Sequence, residues 1–140
     1  MILVLAMSEK APEYIHINVN TQKSLMHTIW LRDTSSEELR AGVLQFLQVI
    51  QQEDIYYWLL DARLLRSPSI QDQQWILKEV APALMASNLR KLARIGNSDV
   101  FTYMTYENIA EKTFEQFLVK AAFAQFTSFD AALNWINLID

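Results

Sequence analysis

Residues 55–61 read Ile55-Tyr56-Tyr57-Trp58-Leu59-Leu60-Asp61, an almost unbroken apolar and aromatic run closed by a carboxylate. A strand with one wet face alternates polar and apolar residues, whereas a strand covered on both faces does not. This run therefore predicts an interior, parallel strand of an α/β domain. In open α/β sheets ligands collect beyond the carboxyl ends of the strands, so the stretch following Asp61 is the first place to expect function.

Working outward, Tyr14 to Asn20 alternates with period two and puts Ile15, Ile17 and Val19 on one face of a half-buried strand. Leu25 to Leu31 follows after the polar stretch Thr21 to Ser24, which predicts an antiparallel hairpin. Ser35 with Glu38 three positions on is a capping-box pattern, and Leu39, Val43, Phe46, Leu47 and Ile50 then recur at helical spacing. Gly42 inside that helix implies that another stretch of backbone packs close to it. After the middle strand, Ser69 is placed to cap a helix through the Asp72 amide. That helix runs from Ile70 toward Ser87 and bends or breaks near Lys78 to Ala81, because Pro82 removes a donor and crowds the preceding turn.

Lys91 to Asn97 reads as another strand, Thr105 to Lys120 as a helix with an ill-defined start, and Ala122 to Phe126 as a short strand. A closing helix then begins after Thr127 or Ser128. Repeated strand-helix-strand units require right-handed crossovers. The expected architecture is thus a single-domain α/β mixed sheet of about five strands with a parallel centre, an N-terminal hairpin and about four helices. It is expected over residues 13–140, with 1–12 an extension or extra edge strand.

A chain of 140 residues, 51% hydrophobic and 20% charged, has globular composition. A net charge of -4 without clustered basic residues argues against nucleic acid as a partner. Arg90, Lys91 and Arg94 bracket a predicted strand and read as a solvated rim. The absence of cysteine removes disulfides, thiolate nucleophiles and thiolate metal sites, and suits a reducing cytoplasm. The apolar opening Met1 to Met7 is too short to span a bilayer and lacks a basic leader, so no transmembrane segment is expected. Exposed as an edge strand, it would favour a homodimer.

The phrases Trp58-Leu59-Leu60-Asp61, then Trp75 with Glu79-Val80-Ala81-Pro82, then Lys91-Leu92-Ala93, and finally Phe126-Thr127-Ser128-Phe129-Asp130-Ala131-Ala132-Leu133-Asn134-Trp135-Ile136 follow one another in a familiar order. In order and spacing they resemble the SpoIIAA-like branch of the STAS superfamily, the anti-sigma-factor antagonist fold related in architecture to CRAL-TRIO lipid-binding domains. The resemblance covers most of Tyr14 to Ile136. It implies a small non-catalytic module that binds a protein partner or a ligand. In the better-known anti-sigma antagonists a serine after the central strand, within an Asp-Ser-Ser/Thr-Gly pattern, is phosphorylated and controls partner binding. The nearest positions here are Ser67 and Ser69, but Arg66-Ser67-Pro68-Ser69-Ile70 lacks both the preceding aspartate and the following glycine. Ser69 is accordingly read first as a helix cap, and no phosphorylation-dependent exchange of partners is expected.

Reaction signatures are missing. With Gly42 and Gly96 the only glycines, there is neither a phosphate-cradling loop nor a nucleophile elbow. His16 and His27 lie on neighbouring predicted strands without an evident third ligand, so no metal and no cofactor is expected. Asp33, Glu37 and Glu38 are explained by the helix start beside them. Asp61 and Arg63 follow the buried strand, and the structural reading has Asp61 holding Arg63 or accepting amides of the next turn. Tyr56, Tyr57, Trp58, Trp75 and Trp135 read first as core and second as a ligand pocket. The candidate face is therefore Asp61, Arg63, Arg66, Ser67 and Ser69. Two readings stay open for it: docking of an unknown protein partner, or binding of a small apolar ligand or lipid.

Overall fold

Alternating burial in the first two strands is what a hairpin lying on a core requires. In the computed structural model, which describes residues 12–117 and 121–138, β1 (Ile15–Asn20) and β2 (Leu25–Trp30) pair antiparallel, with Ile15 opposite Trp30 and Asn20 opposite Leu25. Ile15, Ile17 and Val19 are buried on one face. β3 (Tyr57–Asp61), β4 (Lys91–Ile95) and β5 (Ala122–Phe126) then add in parallel, giving the sheet order β1-β2-β3-β4-β5. The apolar run at 55–61 is thus the middle strand of a five-stranded mixed sheet. The edge strand expected over Met1 to Met7 lies outside the described residues.

The two faces of the sheet are covered unequally. On one face, Met26, Trp30 and Trp58 form a core with Phe46, Val49 and Ile50 of α1 (Ser36–Gln52). The same core includes Val80 and Leu84, from a continuous helical body made of α2 (Ile70–Trp75), a π-helical turn (Ile76–Val80) and α3 (Ala81–Ala86). The helix α4 (Val100–Gln116) lies on this face too, its Tyr106 ring under the Arg94 side chain of β4. On the opposite face, Leu59, Ala93 and Ile95 meet the short α5 (Phe129–Ile136), through Ala132 and Ile136.

Local chemistry explains where these helices start. Ser35 and Glu38 form the expected capping box, Ser69 accepts from the Asp72 amide at 3.1 Å, and Ser128 accepts from the Ala131 amide at 3.0 Å. Pro82 perturbs its helix as expected, but the chain widens instead of breaking. Ahead of the proline the Ala81 N–H reaches back to the Ile76 carbonyl, and that wide turn absorbs the misfit. The helix after β4 begins five residues before the expected Thr105, because Asp99 caps it, accepting from the Phe101 amide at 3.0 Å and the Thr102 hydroxyl at 2.7 Å.

Two expectations require correction. Lys91 and Arg94 are not a solvated rim, for both are buried. The Lys91 ammonium donates to the carbonyls of Trp135 and Leu138 at 3.1 and 2.7 Å, closing the C-terminal end of α5, where unpaired carbonyls favour a cation. Only Arg90 stays exposed, its guanidinium 4.3 Å from the Tyr56 ring centroid. Likewise, the close neighbour of Gly42 is an indole, not backbone: a Cβ at that position would stand 2.5 Å from Cη2 of Trp30.

An aromatic series seats α1 on the sheet. Trp30 and Phe46 meet edge-on at 5.3 Å, Phe46 and Trp58 at 5.6 Å, and the buried Trp58 indole N–H donates to the Thr28 hydroxyl at 2.9 Å. The Gly42→Ala substitution adds a methyl group against this series. Although alanine gains about 1 kcal/mol of helix propensity, forced overpacking costs about 1–3 kcal/mol. Urea denaturation should therefore show a net loss of stability for Gly42→Ala, and a gain would contradict the packing described.

Candidate functional site at the carboxyl edge

Because β2, β3 and β4 run parallel, the segments that leave them emerge at one edge of the sheet. Side-chain bonds join these segments. Asp33, beyond β2, pairs with Arg66 beyond β3: its carboxylate accepts from the Arg66 amide at 3.1 Å and from Nε at 2.5 Å. Asn97, beyond β4, donates to the Arg63 carbonyl at 3.2 Å.

At the end of β3, Asp61 accepts from Arg63 three times: from Nη2 at 2.6 Å, from Nε at 3.0 Å and from the backbone N–H at 3.2 Å. The charged pair and the amide cap, the two roles expected for this aspartate, are both present. Burial pushes the Asp61 carboxyl up, but the Arg63 hydrogen bonds and charge outweigh it and hold the group below the ordinary aspartate range.

All five sequence candidates fall in the segment 61–69, yet most of their polar atoms are engaged internally. Arg63 and Arg66 are held by carboxylates and Ser69 caps α2, while the Ser67 hydroxyl is buried with no hydrogen-bond partner among the described residues. What the edge offers outward is apolar. Leu31, Leu64, Ile70, Val100 and Phe101, all on the segments leaving β2, β3 and β4, are between 48% and 70% exposed.

Asp72, read from the sequence only as a helix-start charge, turns out to be a buried bolt between helices. It accepts from the Ser36 hydroxyl at 2.7 Å and Arg40 Nε at 2.9 Å. Nothing local signals this, because its partners lie more than thirty positions away in the chain. The histidines share a sheet face without being directly paired: Asn18 is opposite His27 and His16 opposite Ile29. His27 lies 5.2 Å from the Phe129 ring, and burial pushes its pKa down. Among the described residues no three His, Asp or Glu side chains gather into a metal-binding group.

Behind this edge, between the sheet and its more heavily covered face, is an apolar cavity of about 140 Å³ lined by residues including Trp58, Leu60, Leu92, Ile109 and Phe123. Arg94 lines it as well, and it also lines a second depression formed with Asn97, Gln125 and Thr127. No sequence pattern announced this cavity, since its walls are ordinary core residues drawn from nearly every element.

The backbone arrangement has a counterpart among solved structures. A crystal structure of an uncharacterised protein of the DUF3478 family from Shewanella loihica PV-4, described as having a SpoIIAA-like fold, superposes with a TM-score of 0.55 over 87% of this chain and 93% of that one. This chain has the SpoIIAA-like fold. Sequence identity is 13%, so the likeness concerns architecture. No protein-family model and no curated protein matches the chain. Within the SpoIIAA-like frame, Ser67 and Ser69 follow the central strand, the first half-buried with its hydroxyl enclosed and the second capping a helix. Among the described residues no helix is long and apolar enough to cross a membrane.

The depressed Asp61 pKa fixes a pH dependence. A carboxylate held below its unfolded value contributes stability above the ordinary aspartate pKa of about 3.9, and loses it as pH falls through the lower folded value. Because Arg63 is half exposed and stays solvated when unpaired, Asp61→Asn should cost about 1–2 kcal/mol near neutral pH. Urea titrations on the acid side should find this deficit shrinking as pH falls below the ordinary aspartate range. A deficit of constant size across that range would rule out the charge pairing as its source.

Proposed function

We propose that the protein is a non-catalytic, cytoplasmic interaction module that docks a protein partner through the carboxyl edge of its sheet. The observation that carries this reading is the exposure of Leu64, Ile70, Val100 and Phe101 around loops braced by the Asp33–Arg66 pair and the Asn97 bond. Apolar groups held out from braced loops suit the apolar core of an interface, where little entropy remains to be lost on binding. The complementary surface is apolar with a carboxylate or carbonyl rim facing Arg66, whose side chain is 81% exposed. The absence of a reaction motif favours a binding role over an enzymatic one.

A second reading, a carrier of a small apolar ligand, draws support from the cavity of about 140 Å³. That volume is comparable to the ~150 Å³ engineered apolar cavity that holds benzene.

Cross-linking in the source cells, followed by purification of the tagged chain, identifies the docked protein and the residues it touches. Cross-links should map to 62–70 and 97–104. The double substitution Leu64→Ala with Phe101→Glu should weaken that complex by about tenfold or more, while stability changes by less than about 1 kcal/mol because both side chains are exposed. Cross-links confined to the α5 face, or a complex indifferent to the double substitution, would refute docking at this edge.

A further inference from the structure

Arg94 is 4% exposed, yet no carboxylate among the described residues lies within ion-pair distance of it. Its Nη1 donates to Oε1 of Gln125 at 2.9 Å, and the Gln125 amide nitrogen in turn donates to Glu107 at 3.0 Å and to the Tyr103 carbonyl at 2.9 Å. The nearest acid in this chain of bonds is therefore one side chain removed, and among the described residues the buried Nε has no hydrogen-bond partner. A cation taken out of water without a counter-charge is costly, so such a group calls for an occupant.

The guanidinium is well fixed. The Tyr106 ring centroid lies 4.2 Å from Cζ, and Gly96 makes room for it, since a Cβ there would stand 2.6 Å from Nη1. Burial lowers the Arg94 pKa and Tyr106 opposes that shift, but a guanidinium starts so high that it keeps its proton. Among the described residues, Arg94 is also the one shared by the linings of the apolar cavity and of the second depression beside it. A ligand at this point meets hydrocarbon on the cavity side of the guanidinium, with Asn97, Gln125 and Thr127 in the lining of the depression beside it.

We infer that the cavity is a binding site for a small amphiphile bearing one carboxylate, whose apolar body fills the space among Trp58, Leu92 and Ile109 and whose carboxylate meets the guanidinium of Arg94. A planar carboxylate matches the donor geometry of a guanidinium, and the bond is charge-assisted. The cavity volume limits the body to about six to ten non-hydrogen atoms, the size of a short-chain or aryl acid. This inference rests on the carrier reading of the cavity, to which it adds a ligand class.

The test titrates the full chain with hexanoate, 1-hexanol and acetate by calorimetry. In parallel, nuclear magnetic resonance follows the Arg94 Nε–H signal in protein labelled at arginine. Hexanoate should bind about tenfold or more tighter than either 1-hexanol, which lacks the charge, or acetate, which lacks the body. It should move the Nε–H signal, whereas 1-hexanol should not. In Arg94→Met the preference for the acid should vanish, 1-hexanol should bind as before, and the melting temperature should not fall, because an apolar stem replaces an uncompensated charge.

Equal binding of hexanoate and 1-hexanol, or hexanoate binding with an unmoved Nε–H signal, would overturn the carboxylate assignment while leaving the carrier reading intact. Acetate binding as tightly as hexanoate would reduce the site to an anion site and overturn the amphiphile. Failure of all three to bind would overturn the inference and the carrier reading together. Should Arg94→Met fail to fold, the wild-type comparison and the Nε–H signal decide alone.

Discussion

The structure depends on covering both faces of β3. Trp58 on one face and Leu59 on the other are both almost completely buried, and each needs its own layer. On the Trp58 side the requirement is met by the edge-on series through Phe46 to Trp30, with the indole N–H satisfied by Thr28. On the Leu59 side it is met by α5, whose C-terminal carbonyls are closed by Lys91. Because β3 is central and parallel to both its neighbours, the chain must leave it at the same edge as β2 and β4. Segments carrying Asp33, Arg66 and Asn97 are thereby brought within bonding distance.

Much of this architecture was legible because it rests on local rules. The apolar run at 55–61, the alternation of Ile15, Ile17 and Val19, and the caps at Ser35, Ser69 and Ser128 are each decided by residues within a few positions of one another. The start of α4 was missed for an equally physical reason. Its inward stripe includes Thr102, Thr105 and Thr113, polar letters that interrupt the hydrophobic period, and the latter two tuck their hydroxyls onto the Phe101 and Ile109 carbonyls of their own helix. Meanwhile Val100, Phe101 and Met104 face outward. A helix with threonines inside and aromatics outside inverts the pattern that sequence reading depends on.

The candidate site was legible in its position and much less so in its chemistry. At the strand-terminal Asp61 the expected pairing with Arg63 formed, and the exposed Arg66 is tied to Asp33, a bond that no local pattern announced. The features that bear on binding depend on distant parts of the chain. Lys91 and Arg94 look like surface residues in a charged stretch, and only the packing of α5 and α4 over opposite faces of β4 buries one against helix-end carbonyls and the other against Tyr106. Arg94 and the cavity beside it exist because three helical bodies meet one face of the sheet without filling it.

A buried middle strand carrying a braced, exposed carboxyl edge is the physical picture that unites these features, and amide hydrogen exchange reads both parts at once. If β3 is held between two layers, the Trp58, Leu59 and Leu60 amides should exchange only through global unfolding, with an exchange free energy equal to that from denaturant. Residues 97–101 should open locally, well below that limit. Exchange of the β3 amides about 2 kcal/mol or more below the global value would contradict the account, because a strand that opens on its own cannot be the buried centre from which this edge is built.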